Sequence, residues 1–195
     1  PVLVVGATGA VGQGLLPVLR AQGVRVRGSS RRPDAARSRH GGDWVEVDVD
    51  RPETLAPALH GCRAAVYLVH NMAEGGDYAA RERDAASAFI KAAAQAGLER
   101  VVYLGGVRPS GTPSRHLLSR LETGRILRSG SVPCLELRAG MIIGPGSESW
   151  RIVRDLAMRL PIQLLPSWLQ SRSQPLALAD VCVALAEGLT LPLPQ

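Results

Sequence analysis

Short runs of Val, Leu and Ala alternate along this chain with longer stretches whose apolar residues recur every three to four positions. The runs VLVV (2–5), VRVRG (24–28), WVEVD (44–48), AAVYLV (64–69), RVVYL (100–104) and PCLELR (133–138) have the length and composition of strands. Most are near-continuous rather than strictly alternating, as expected of strands covered on both faces. Helical spacing between and after them predicts helices at 10–21, 34–39, 52–59, 77–96, 114–129, 149–159 and 179–189. Strand and helix therefore follow one another almost throughout. Right-handed crossovers between parallel strands then give an α/β, doubly wound sheet in the order 3-2-1-4-5-6. No repeat or low-complexity segment interrupts the pattern. After the last strand, RLPIQLLPSWLQSRSQP (159–175) is broken by proline and reads as irregular, with Trp150 and Trp168 near it. The chain reads as a single domain, 1–195, in which residues 139–195 contribute a small cap on the substrate side.

Composition narrows the picture without redirecting it. At 195 residues, 46% hydrophobic and 21% charged, the chain has the makings of one well-buried core. It holds no apolar run of about 18 residues, so no membrane span is expected. A strand that begins at the first residues leaves no room for a signal peptide, and a cytoplasmic location is expected. Cys62, Cys134 and Cys182 are far apart among apolar neighbours. They fit neither a disulfide framework nor a zinc spacing, and read as inert thiols; no metal is expected. The net charge of +6 raises the question of nucleic acid. The arginines are scattered, however, Lys91 is the single lysine, and few aromatic rings are present to stack bases. A solvated basic surface is the reading favoured here.

The chemistry concentrates at strand ends. Strand one runs into GATGAVG, and a helix follows at once. Gly6 allows a tight turn, Gly9 lets backbone approach a pyrophosphate, and Gly12 lets the helix pack closely. Backbone N–H groups around Thr8, Ala10 and Val11, at the helix amino terminus, are placed to hold the anion. The end of strand two reads GSSRRPD, with no carboxylate before Asp34 to meet a ribose 2′-hydroxyl. Arg31 and Arg32 suit a 2′-phosphate instead, which favours NADP over NAD. Strand three ends in VDVD, where Asp48 and the Val49 N–H are placed for the adenine and Asp50 for capping the next helix. Val69 and His70 end strand four beside strand one, at the carboxyl edge where such sheets bind ligands.

These residues resemble the atypical short-chain dehydrogenase/reductase family, and within it the NmrA-like NAD(P)-binding proteins. GATGAVG is similar to that family's glycine motif, SRRP to its strand-two arginine motif, and VDVDRPETLAPAL to its strand-three acid and following helix. The likeness continues through RVVYLGG, ILRSGSVPCLELRAGMIIG and QPLALADV, while YLVHNMAEGGDY and GSESWRIVRDL resemble a bacterial subgroup. It implies a Rossmann-like domain and a cofactor site extended by Gly105, Arg120, Ala139 and Gly140. Because the family usually continues for further strands and helices, a carboxyl-terminal part is expected beyond Gln195.

The resemblance also shows what has changed. Active members carry a Ser at the end of strand five, then Tyr and Lys on the next helix. Here the corresponding places hold Gly105 or Gly106, His116 and Arg120. A histidine, with an ordinary pKa of about 6.5, can exchange a proton near neutrality. An arginine one turn on can bind a ribose but does not give up its proton. His70, Ser110, Ser114 and Tyr78 are further donors, Tyr78 reading more readily as a helix-packing residue. One functional reading is an NADP-dependent oxidoreductase of unknown small-molecule substrate, using His116, Arg120 and His70. A second is a non-catalytic NAD(P) sensor that passes its state to a protein partner. A nucleotide-sugar epimerase or dehydratase is a more distant third, since those reactions lean on the absent tyrosine.

Overall fold

The structure, a computed structural model, describes residues 1–69, 78–108, 113–159 and 174–192. In the first half, β1 (Val2–Val5), α1 (Ala10–Ala21), β2 (Val26–Ser30), α2 (Pro33–His40) and β3 (Asp43–Glu46) lead through a 3-10 turn at Pro52–Thr54 to α3 (Leu55–Leu59). The second half runs β4 (Ala64–Tyr67), α4 (Tyr78–Gln95), β5 (Arg100–Gly106), α5 (Arg115–Ser129) and β6 (Cys134–Ala139). It closes with β7 (Ile142–Ile143), α6 (Glu148–Arg159), β8 (Leu176–Ala177) and α7 (Leu178–Glu187). Six strands form one parallel sheet in the order β3-β2-β1-β4-β5-β6, the expected doubly wound arrangement. The pair β7–β8, also parallel, was not expected; strands of two residues are too short to leave a pattern.

Each face of the sheet carries its own core. On one, Val2, Val4, Val66, Val102 and Leu104 meet Leu15 and Leu19 of α1 and Leu185 of α7. On the other, Leu3, Val5, Tyr67, Val101 and Tyr103 meet Leu55 and Leu59 of α3, Phe89 of α4 and Leu127 of α5. Both neighbours of a central strand residue are thus apolar, which is why VLVV reads as a run. Each large side chain fully buried in this way contributes about 1.5–3 kcal/mol relative to exposure.

Strand boundaries differ from the sequence reading where backbone bonds are claimed by turns. Val24 N–H closes the end of α1 on the Leu19 carbonyl at 3.0 Å, so pairing in β2 starts at Val26 and runs to Ser30. β3 stops at Glu46 because Asp48 enters a turn held by Thr54, whose Oγ1 accepts from the Asp48 N–H at 3.1 Å. β5 runs two residues further than expected, pairing Gly105 with Arg138 and Gly106 with Ala139. The helix expected at 52–59 divides into the 3-10 turn and α3. The irregular segment expected at 159–175 lies almost wholly outside the described residues, as do Trp168, His70 and Ser110. Among the described residues, no helix is long and apolar enough to cross a membrane.

Candidate functional site

The turn between β1 and α1, together with the first turn of α1, holds three glycines with different duties. Gly6 sits at φ 85°, a conformation other residues rarely adopt, and its N–H donates to Ser29 Oγ at 3.1 Å. The turn closes when Gly9 N–H donates to the Gly6 carbonyl at 3.1 Å. A β-carbon on Gly12 would lie 2.5 Å from the Gly6 carbonyl oxygen and 2.6 Å from Ala7 Cα, so close packing there requires glycine. On Gly9 the nearest atom would be 3.4 Å away. Thr8 and Gly9 are exposed, and no side chain caps α1, whose first turn carries no acid. Its amino-terminal N–H groups, with those of Ala10 and Val11, border this exposed surface. That is the fit a pyrophosphate needs.

Ser29 was missed in the sequence, where GSS reads only as a strand end. It is buried (3% exposed) and ties β2 to the glycine loop. Beyond it, Arg31 and Arg32 are exposed, and Arg32 N–H donates to Ser30 Oγ at 3.0 Å. Among the described residues neither guanidinium has an ion pair or hydrogen bond, although Arg37, two turns on, pairs with Asp34 at 2.7 Å. Asp48 Oδ1 accepts from the Asp50 N–H at 3.2 Å, and Oδ2 lies 3.6 Å from Arg51 Nε. The capping role expected of Asp50 is therefore not observed: Arg51 is the cap residue, and Asp48 holds the turn. Val49 and Val69 come together with Tyr67 in a small pocket bordered by Arg81 and Glu82 of α4. Val69 also touches the glycine turn, its Cγ2 lying 3.3 Å from where a Gly6 β-carbon would be.

Around α5 the arrangement is tighter. Ser114 accepts from the Leu117 N–H at 3.2 Å as the cap of α5, which gives that hydroxyl a structural use. His116 and Arg120 are half-buried one turn apart, in line with the buried Ser119, Thr123 and Leu127. Arg120 Nη2 donates to the Leu104 carbonyl at 3.0 Å, while its buried Nε has no partner. Tyr103 O–H returns a bond to the Arg120 carbonyl at 3.0 Å, and burial pushes that phenol up in pKa despite the nearby guanidinium. A β-carbon on Gly106 would stand 2.7 Å from Leu117 Cδ1 and 3.8 Å from Arg120 Cδ. One on Gly105 would stand 2.5 Å from Glu136 Oε1. Both places suggested for a serine are filled by neighbours.

Glu136 is the other residue the sequence did not reveal. Its side chain is 4% exposed; Oε2 pairs with Arg128 of α5 and with Arg138 at 3.0 Å, and Oε1 has no partner. Ser119 donates to the buried Glu82, joining α5 to α4. Ala139 places its methyl in the core, and Gly140 lies against the Gln174 carbonyl, so these two can offer backbone alone. Beyond them a cleft of about 530 Å³ opens between the Gly144–Ser147 turn and Trp150, Arg151 and Arg154 of α6. Tyr78 is the first residue of α4.

A parallel sheet in this order, with an uncapped helix behind a glycine turn at its carboxyl edge, defines a Rossmann-type dinucleotide-binding domain. The chain belongs to the NAD(P)H-binding family, whose model matches residues 6–128. The motif resemblance to atypical short-chain dehydrogenases/reductases agrees with this. Its fold is similar to that of gox2253 (TM-score 0.75, 20% identity, 96% of this chain and 66% of that one). It is likewise similar to MoeE5 in complex with UDP-glucose and NAD (TM-score 0.77, 21% identity, 97% of this chain and 72% of that one). A third similar structure is the Citrobacter sp. triphenylmethane reductase complexed with NADP(H) (TM-score 0.63, 20% identity, 72% of this chain and 50% of that one). At these identities the likeness establishes the fold, and the chain spans 66% of gox2253 and half of the reductase. No curated protein matches the chain in sequence.

Proposed function

We propose that the chain binds NADP in preference to NAD and acts as an oxidoreductase of non-standard active site, on a small-molecule substrate. The observation that carries the cofactor preference is the pair Arg31–Arg32, exposed just past the end of β2 with no carboxylate beside it. A nicotinamide cofactor would supply the hydride; the chain supplies binding, orientation and any proton. On this reading the α1 amino terminus holds the pyrophosphate, and Asp48, Val49 and Val69 border the adenosine side. Arg120 reaches the nicotinamide ribose, and His116 exchanges the proton.

A second reading is an NmrA-like sensor that binds NAD(P) and reports to a protein partner without turnover. It is favoured by Leu117, which fills the space at Gly106, and by the bond from Arg120 to the Leu104 carbonyl. Both readings suit a bacterial cytoplasmic protein. Nucleotide-sugar epimerase or dehydratase chemistry fits less well, because α5 carries His116 where the tyrosine would stand. Binding and turnover are separable by substitution. Arg120→Ala is expected to weaken NADPH binding by about 1.5–3 kcal/mol through loss of a charged donor. His116→Ala is expected to leave calorimetric binding unchanged and to abolish NADPH oxidation across a panel of carbonyl substrates. A parent protein that binds NADPH but oxidises it with none of them would favour the sensor; an active His116→Ala would remove the histidine from the mechanism.

A further inference from the structure

β2 buries a hydroxyl, although strands covered on both faces usually bury apolar groups. Among the described residues the other buried polar side chains, Glu82, Ser119 and Thr123, stand on helices, where Ser119 and Glu82 bind each other. Ser29 stands on a strand, and its partner is the backbone of a turn: Oγ accepts from the Gly6 N–H at 3.1 Å. Gly6 sets the course of that turn. Its φ of 85° lies in a region open to glycine, whose backbone is also the least restrained of any residue. Two other restraints act on it. Its carbonyl accepts from the Gly9 N–H at 3.1 Å, and a β-carbon on it would lie 3.3 Å from the Leu68 carbonyl carbon and from Val69 Cγ2. The Ser29 bond adds a third, on the direction of the N–H. It turns that donor toward β2, so the N–H groups left to meet an anion are those at the start of α1.

We propose that Ser29 is a positioning residue of the cofactor site, whose hydroxyl fixes the Gly6 peptide and so pre-organises the turn for a dinucleotide. This rests on the cofactor reading above and adds a determinant that NAD and NADP share, where Arg31 and Arg32 tell them apart. Without the hydroxyl, the Gly6 N–H faces only the β-carbon of residue 29. The turn then populates other glycine conformations, which do not present the α1 amino terminus to the pyrophosphate. Apparent affinity falls with the competent fraction. Because both dinucleotides carry the pyrophosphate, they lose affinity by the same factor.

NADPH and NADH are titrated by calorimetry into the parent, Ser29→Ala and Ser29→Thr, each with the circular dichroism of the folded parent at the temperature used. Amide hydrogen exchange at Gly6 is followed by NMR in the same three proteins. Ser29→Ala is expected to weaken NADPH and NADH alike, by about fivefold or more. Its Gly6 amide should exchange faster, by about fivefold or more, because its acceptor has gone. Ser29→Thr keeps the hydroxyl on a side chain suited to a strand, and should restore affinity for both dinucleotides to within about twofold of the parent. A merely structural Ser29 would lower stability and leave the affinities of the folded protein unchanged. The proposal is therefore overturned if Ser29→Ala binds both dinucleotides as tightly as the parent. It is overturned too by a loss confined to NADPH, by Ser29→Thr losing as much as Ser29→Ala, or by unchanged exchange at Gly6. A parent protein that binds neither dinucleotide sinks the cofactor reading and this proposal with it; a parent that binds them, beside a Ser29→Ala that binds them equally well, sinks this proposal alone.

Discussion

Gly9 and Gly12 stand three positions apart at the start of α1, and the structure asks opposite things of them. A side chain on Gly12 meets backbone at 2.5 Å, with nothing flexible to give way, whereas Gly9 has room. Gly12→Ala should therefore cost about 1–3 kcal/mol, lowering Tm by about 2–4 °C per kcal/mol in a chain of this size. Gly9→Val should keep Tm near the parent and lose NADPH in calorimetry, since its side chain occupies the space of the ligand. Equal Tm losses for the two would show that Gly9 serves the fold and not a ligand. The cysteines make a second residue-scale case. Burial raises the thiol pKa of Cys62 and Cys182 and pushes Cys134 up to about 11. Thiolate is the reactive form, so at neutral pH all three should label slowly with a disulfide reagent and at full speed once unfolded. Rapid labelling of the native protein would contradict the packing described for them.

At the scale of elements, α5 decides how the site is held. Among the described residues, polar ties hold it to its neighbours: Tyr103 to the Arg120 carbonyl, Arg120 to the Leu104 carbonyl, Ser119 to Glu82, and Arg128 to Glu136. Arg128→Ala/Arg138→Ala strands the Glu136 carboxylate without a cation, and a loss of about 3 kcal/mol is expected in urea unfolding. Adding Glu136→Ala should recover part of that loss, because the unpaired charge has gone; no recovery would mean the arginines stabilise the fold by other contacts. The sequence made the helix legible through its spacing, but neither this anchor nor the cap, since Ser114 read there only as a possible donor. In LELR the alternation of Leu with charge reads as one buried and one solvent face. Yet Gly105 and Gly124 leave a hollow that the Glu136 carboxylate fills, and the leucines face the other layer. Ser29 escaped for a related reason: its partner, Gly6, is 23 residues away, and no local pattern records such a bond. The extent of α1 was legible from its helical spacing, which predicted 10–21, the range observed.

Across the whole molecule, the strand order brings the ends of β1, β2 and β4 to one crevice, with the glycine loop at its centre. The apolar runs were enough to foresee that order, since two covered faces and right-handed crossovers leave few alternatives. What they could not foresee is how the carboxyl edge is filled, because Leu117 and Glu136 reach it from separate elements. The central claim is that this edge binds NADP and reads its 2′-phosphate through Arg31 and Arg32. It is tested most directly by calorimetric titration of NADPH and NADH into the parent and into Arg31→Ala/Arg32→Ala. The parent should bind NADPH more tightly, and the variant should lose about 1.5–3 kcal/mol or more for NADPH while its NADH affinity stays nearly unchanged. Equal affinities in the parent, or equal losses for both cofactors in the variant, would contradict it.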